Sequence, residues 1–158
     1  EEIEVIAPAL LRERDAGRFA HLGITETAPN DHEHATLSKA LGSDLFDVVM
    51  VAFHLLHQNA RDSVFPLTRA KGVATLLMFA VRRIFSEPGR LQATLAELLQ
   101  RGLLPAALVD EQAPLAFLTE QPGPLGIIDA AYRYVRHEPG VDVVLFGTGN
   151  IGHLQTNI

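Results

Sequence analysis

Four short stretches of this chain carry side chains whose types and spacing suit chemistry. Gly147-Thr148-Gly149-Asn150 follows an apolar, β-branched run, Val141 to Phe146, and opens a helical pattern from Ile151 to Asn157. A strand, a glycine turn and a helix start together aim backbone N–H groups at one point, which is how many proteins hold a phosphate. The same residues also make a plain tight turn, and both readings stay open. Arg82 and Arg83 follow another apolar run, where they can meet an anion as forked donors or lie solvated at the surface. Phe79, just before them, can present an aromatic face to a flat ring or belong to the core. His54 and His57 sit three apart beyond a third apolar run. A metal pair is conceivable there, but no nearby carboxylate completes a ligand set, which favours hydrogen-bonded loop histidines. Asp31-His32-Glu33-His34 is rich in ligand types, yet it opens a helix in which Asn30 or Asp31 serves as N-cap and Glu33 suits the dipole. No Ser-His-Asp set, Walker-type loop or pair of catalytic carboxylates can be assembled from motif spacing.

The elements that must position these residues follow a regular rhythm. Ile3, Ile6, Ala7 and Leu10 recur at helical spacing and Gly17 supplies a C-terminal stop, so the chain starts on an amphipathic helix. It begins inside that helical pattern, which points to a fragment. Phe19 to Thr25 reads as a short strand, and after a Pro29-Asn30-Asp31 turn a helix carries Ala35, Leu37, Ala40 and Leu41 to Gly42. Phe46 to Phe53 is nearly continuous in apolar character, as expected for a strand covered on both faces of a parallel sheet. A helix from Val64 to Ala70 ends at Lys71-Gly72, and the next strand runs from Val73 to Ala80. Residues 81–126 break the rhythm: a Pro88-Gly89 turn, a helix from Arg90 to Gln100, then a stretch from Leu103 to Pro124 with four prolines. We read this as a helical insertion after the third strand. Ile128, Ala131, Tyr132 and Val135 restore a helical face, Pro139-Gly140 ends it, and the last strand follows.

Four strand–helix units predict α/β with a parallel sheet and right-handed crossovers, either doubly wound or part of a barrel. A full eight-unit barrel typically needs about 250 residues, so 158 residues hold about half of one. In both folds the chemistry lies beyond the carboxyl ends of the strands, at Thr25 and Glu26, Phe53 to His57, Phe79 to Arg83, and Gly147 to Asn150. Bulk properties narrow the partners. Hydrophobic residues make up 47% of the chain, enough for a single-domain core over 1–158. A net charge of -6 offers no basic footprint for nucleic acid. The absence of cysteine excludes disulfides, thiolate metal sites and a Cys nucleophile, and agrees with a reducing compartment. No apolar run approaches the roughly 20 residues needed to span a bilayer, and Glu1-Glu2-Ile3-Glu4 is unlike a basic signal-peptide start. The expected location is cytoplasmic, with no membrane partner.

The order of segments resembles the C-terminal half of an aldo-keto reductase, from the helix before the fifth barrel strand to the start of the last helix. The matching pieces are Glu13 to Glu26, similar to that family's segment ending in Gly-Val-Ser-Asn; Phe46 to Leu56; and Ala130 to Val135 continuing through Gly147-Thr148-Gly149-Asn150 to His153, Leu154 and Asn157. The resemblance implies strands 5–8 of a (β/α)8 TIM barrel, a parallel half-barrel, in an enzyme that moves hydride between NADP (or NAD) and an aldehyde, ketone or sugar-like alcohol. By position it places Thr25 and Glu26 at the carboxamide of nicotinamide, Phe79 against the nicotinamide ring, and Arg82 near the pyrophosphate. It places Gly147, Thr148 and His153 at the adenosine 2′-phosphate and Asn157 at adenine, with Gly149 and Asn150 part of the same cofactor-binding turn. The chain departs from the family at Met50, where a Gln is usual, at Glu26 for Asn, at Ala80-Val81-Arg82 for a Ser-Pro-Leu type turn, and at Gly147 and His153 for a Lys and an Arg.

The family's catalytic Asp, Tyr, Lys and His all belong to the half that precedes this region. They have no counterparts here, and both tyrosines, Tyr132 and Tyr134, fall on a helix. The expectation is therefore a chain with cofactor-binding elements and no catalytic residues, completed by an N-terminal half or by a dimer that closes the sheet. The alternative is a non-catalytic nucleotide-binding or regulatory module built on the same half-barrel.

Overall fold

In the computed structural model, residues 2–157 are described apart from 29, 88, 107–109, 111–114 and 120–125. Pro29 and Pro88 of the two expected turns, and most of the proline-rich stretch, therefore lie outside the described residues. Four strands form one sheet: β1 (Gly23–Thr25), β2 (Val48–Ala52), β3 (Ala74–Met78) and β4 (Val143–Val144). All neighbouring pairs are parallel, and the spatial order β1-β2-β3-β4 follows the chain without a reversal. The sheet is open, with β1 and β4 as its edges. Helices α1 (Glu2–Asp15), α2 (Ala35–Ala40), α3 (Ala60–Ser63) and α4 (Phe65–Lys71) precede β3. Between β3 and β4 lie α5 (Arg83–Ser86), α6 (Arg90–Gln100), α7 (Ala116–Thr119) and α8 (Ile127–Arg136), and α9 (Ile151–Asn157) closes the chain. None of the described helices is long and apolar enough to cross a membrane.

Period-two alternation sorts the strand residues onto two faces. Val49, Val51 and Leu77 are buried with Leu37 and Leu41 beside α2, Val64 and Phe65 beside α4, and Val135 of α8, and these form the main core. The register places Val48 beside Ala74 and Met50 beside Leu76 on the opposite face. That face is only half-buried, and Val143, next to Leu76, is 47% exposed. The expectation that β2 is covered on both faces is thus met on one. Its apolar run is real on both, but the core built with α2, α4 and α8 lies on the side of Val49 and Val51.

The loops are fixed by specific contacts. The N-cap position of α2 is His34 and not the expected Asn30 or Asp31, but the Asp31 carboxylate reaches the helix start, accepting from the N–H groups of Ala35 (2.7 Å) and Thr36 (2.8 Å). Partial desolvation opposes ionisation of Asp31, yet the Thr36 and Ala35 donors hold its carboxyl below the usual value. Gly140, between α8 and β4, has φ 103, and a Cβ there would come within 2.7 Å of Phe65 Cβ. The turn packs directly on the core, and only glycine fits. Within the expected insertion, Phe85, Leu91 and Leu95 form a second apolar cluster with Leu55, Val81, Ile84, Leu98 and residues of α8. It is a satellite core beside the carboxyl end of the sheet.

Candidate functional site

The carboxyl ends of β3 and β4 frame a cavity of about 380 Å3, lined by Met78, Phe79, Ala80, Val81, Tyr132, Leu145, Phe146 and Gly147. Phe79 and Gly147, assigned to the cofactor site from sequence, come together here. Phe79 leaves β3 with φ 68, a left-handed backbone that a bulky residue adopts only when its surroundings impose it. Its ring is 37% exposed. The Arg82 guanidinium lies over it, 4.5 Å from the ring centroid. Arg83 is committed elsewhere, in an ion pair with Glu87 at 2.8 Å one helical turn on. Of the two arginines, Arg82 is the one beside the cavity.

The Gly147-Thr148-Gly149-Asn150 turn continues from the cavity as exposed chain. A Cβ at Gly147 or Gly149 would meet open space. Asn150 Oδ1 accepts from the N–H groups of Gly152 (2.8 Å) and His153 (3.3 Å), so the side chain caps α9 itself. Thr148 Oγ1 accepts from Asn150 N–H at 3.1 Å and lies 3.5 Å from His153 Nδ1. Thr148 and His153 are therefore neighbours on an open surface, while the Gly152 and His153 N–H groups are already taken by Asn150. Asn157 ends α9 at the far side of this segment.

Glu26 is turned the other way. Its side chain is fully buried, with Oε1 accepting from Ala52 N–H at 2.6 Å and Oε2 2.6 Å from His34 Nδ1. Both oxygens are used inside the protein, so Glu26 joins β1 to β2 and to the loop before α2 and does not face a ligand. Thr25 is exposed at the end of β1 and donates its hydroxyl to Glu26 O at 3.3 Å. His34, at φ 55, is likewise buried, and its Nε2 has no hydrogen-bond partner among the described residues. The His34 ring stacks on His57 at 5.1 Å.

His54 and His57 close a tight loop after β2 through paired backbone bonds of 3.0 and 2.9 Å. His57 Nε2 lies 3.1 Å from His32 O, and His54 Nδ1 accepts from Leu56 N–H at 3.2 Å. Both histidines are thus hydrogen-bonded loop residues. Among the described residues no group of three or more His, Cys, Asp or Glu side chains is placed to hold a metal ion. Burial, then the neighbouring His57 and Arg82, push the His54 imidazole down to about 4.

Sequence reasoning missed two features. The Glu26–His34 pair joins two polar residues across a loop, and a helical cap accounts for the latter's surroundings equally well from sequence. Tyr132 sits on the apolar face of α8, where its spacing reads as core, and the structure places it in the cavity wall. No protein-family model matches the chain, and no curated protein matches it.

Proposed function

We propose that this chain is the C-terminal half of an aldo-keto-reductase-like barrel, and that it binds the nicotinamide cofactor, NADP or NAD, of an oxidoreductase acting on an aldehyde, ketone or sugar-like alcohol. The observation that carries this reading is the cavity at the carboxyl ends of β3 and β4, with Phe79 held in a left-handed conformation at its wall and Arg82 over the ring. A volume of about 380 Å3 suits one nucleotide half, within the roughly 300–1,000 Å3 usual for ligand sites. The aromatic ring can stack on a flat heterocycle, the guanidinium can take a phosphate, and Thr148 and His153 offer further polar groups along the exposed turn. Glu26 drops out of the contacting set because its carboxylate is spent on Ala52 and His34.

The barrel part of the reading draws on topology. A doubly wound sheet reverses its strand order at a switch point, and this one does not. Right-handed crossovers in unreversed order lay every helix on one side, and the half-buried apolar face of Met50, Leu76 and Val143 then corresponds to a barrel interior. Closure would come from a preceding half or a second copy.

When bound, the reduced cofactor supplies the hydride. The proton chemistry requires a tuned group, and neither tyrosine is placed for that role. Tyr134 hydroxyl accepts from Arg61 at 2.7 Å, and Tyr132 projects from a helix. That observation keeps a second reading, a non-catalytic nucleotide-binding module. Titrating the chain with NADPH and following nicotinamide fluorescence tests the pocket. Saturable enhancement is expected, without turnover of carbonyl substrates, and no response at millimolar cofactor would remove both readings.

A further inference from the structure

The cavity is lined by three aromatic rings, by aliphatic side chains and by backbone, and among its lining residues Tyr132 alone has a polar side-chain atom. We infer that the Tyr132 hydroxyl reads the polar edge of the planar heterocycle bound in this cavity, making Tyr132 a specificity-determining residue. The inference rests on the nucleotide reading and extends it to a residue outside the strand ends.

The placement is firm. Ala131 and Val135 anchor α8 in the core, and Phe146 meets the half-buried Tyr132 ring edge-on at 6.4 Å between centroids. The Tyr132 ring is therefore held in the cavity wall by packing before any ligand arrives. Tyr134, two residues on, makes the useful contrast: its hydroxyl is engaged by Arg61, whereas Tyr132 Oη has no hydrogen-bond partner among the described residues. Burial raises the Tyr132 pKa, so the group stays a neutral phenol able both to donate and to accept.

The alternatives for such a contact are few. Glu26 faces inward, Met50 has no hydrogen-bonding group of comparable strength, and the Thr25 hydroxyl donates to the Glu26 carbonyl. Among the side chains that line the cavity, the phenol is the one able to hydrogen-bond the amide or amine edge of a bound heterocycle. The cost of an unpaired polar edge is what turns a single hydroxyl into a specificity element. Two ring systems of a dinucleotide share this chemistry, the nicotinamide with its carboxamide and the adenine with its amine.

The experiment compares the full chain with Tyr132→Phe, which keeps the ring and its contact with Phe146. Three probes are used: NADPH, reduced nicotinamide mononucleotide and adenosine 2′,5′-bisphosphate, by fluorescence for the first two and calorimetry for the third. Loss of one neutral hydrogen bond predicts about threefold to tenfold weaker NADPH binding, with the same loss on one mononucleotide and none on the other. The affected half identifies the ring in the cavity. A thermal midpoint equal to that of the original chain excludes a structural cause. If the original chain binds NADPH and Tyr132→Phe binds all three probes equally well, or loses both halves alike, the assignment of Tyr132 is overturned while the nucleotide reading stands. If the original chain binds none of the three, the nucleotide reading itself falls, and this inference with it.

Discussion

Replacing Glu26 by alanine should destabilise the fold by about 3–5 kcal/mol, the cost of stranding two buried hydrogen-bonding groups at once. The figure follows from what is left behind. The Ala52 N–H at the end of β2 and the His34 Nδ1 each lose a 2.6 Å partner, and both lie in buried surroundings. Each stranded group costs about 1–3 kcal/mol, more where the partner was ionised, and His34 already has its Nε2 unpaired. Removing the carboxylate also removes its own desolvation cost, which keeps the total below the sum. Glu26→Gln should cost less, about 1–2 kcal/mol, because the amide still offers Ala52 an acceptor and His34 a neighbour able to hydrogen-bond. Urea unfolding with a common m value is the assay. With m of about 1–3 kcal/mol/M, the alanine variant should lose more than about 1 M in midpoint. A loss on that scale takes much of the stability of an ordinary domain, so the glutamine variant keeps the experiment readable if the alanine variant fails to fold. An alanine variant within about 0.5 kcal/mol of the original would refute the idea that Glu26 serves as an internal brace.

Acid should weaken the fold early. His54 titrates at about 4 in the folded chain against 6.5 unfolded, so the unfolded chain takes up the proton first. Stability is complete above pH 6.5 and falls towards pH 4, by about 3 kcal/mol at most, and His54→Gln should flatten that decline in thermal midpoints measured from pH 7 to 4.5. Gly140→Ala should cost about 2 kcal/mol or more, since it combines a left-handed backbone with a Cβ set 2.7 Å from Phe65; a midpoint unchanged in urea would mean the turn yields freely. Phe79→Ala should weaken NADPH binding at least tenfold with little change in stability, and an unaltered affinity would return Phe79 to a packing role.

The parts of this fold that could be read from sequence are those in which local pattern and tertiary need agree. Val48–Ala52 and Ala74–Met78 lie inside apolar runs long enough to mark strands, and α6 spans Arg90–Gln100 as its periodicity predicts. Gly72 closes α4 in the left-handed conformation expected of a helix stop. At β4 the apolar run promised a longer strand than the two residues that pair, because only one neighbour is present to continue the ladder. The site was legible where it lies at strand ends, as with Phe79 and Gly147. It was illegible where direction decides: sequence places Glu26 at the mouth of the sheet, but a buried N–H and an imidazole turn it inward. Tyr132 was hidden for the opposite reason, since a helical face reads as core whether its end meets a neighbour or a cavity.

The one-sided sheet has a consequence for assembly. Leu37, Val49, Val64, Leu77 and Val135 complete the helix-side core within this chain alone. Whatever covers Met50, Leu76 and Val143 therefore meets a surface already shaped, and the step resembles docking of rigid bodies more than folding upon contact. The entropy of ordering the strands has been spent beforehand, so any group that covered this face would gain from apolar contact without first having to order it.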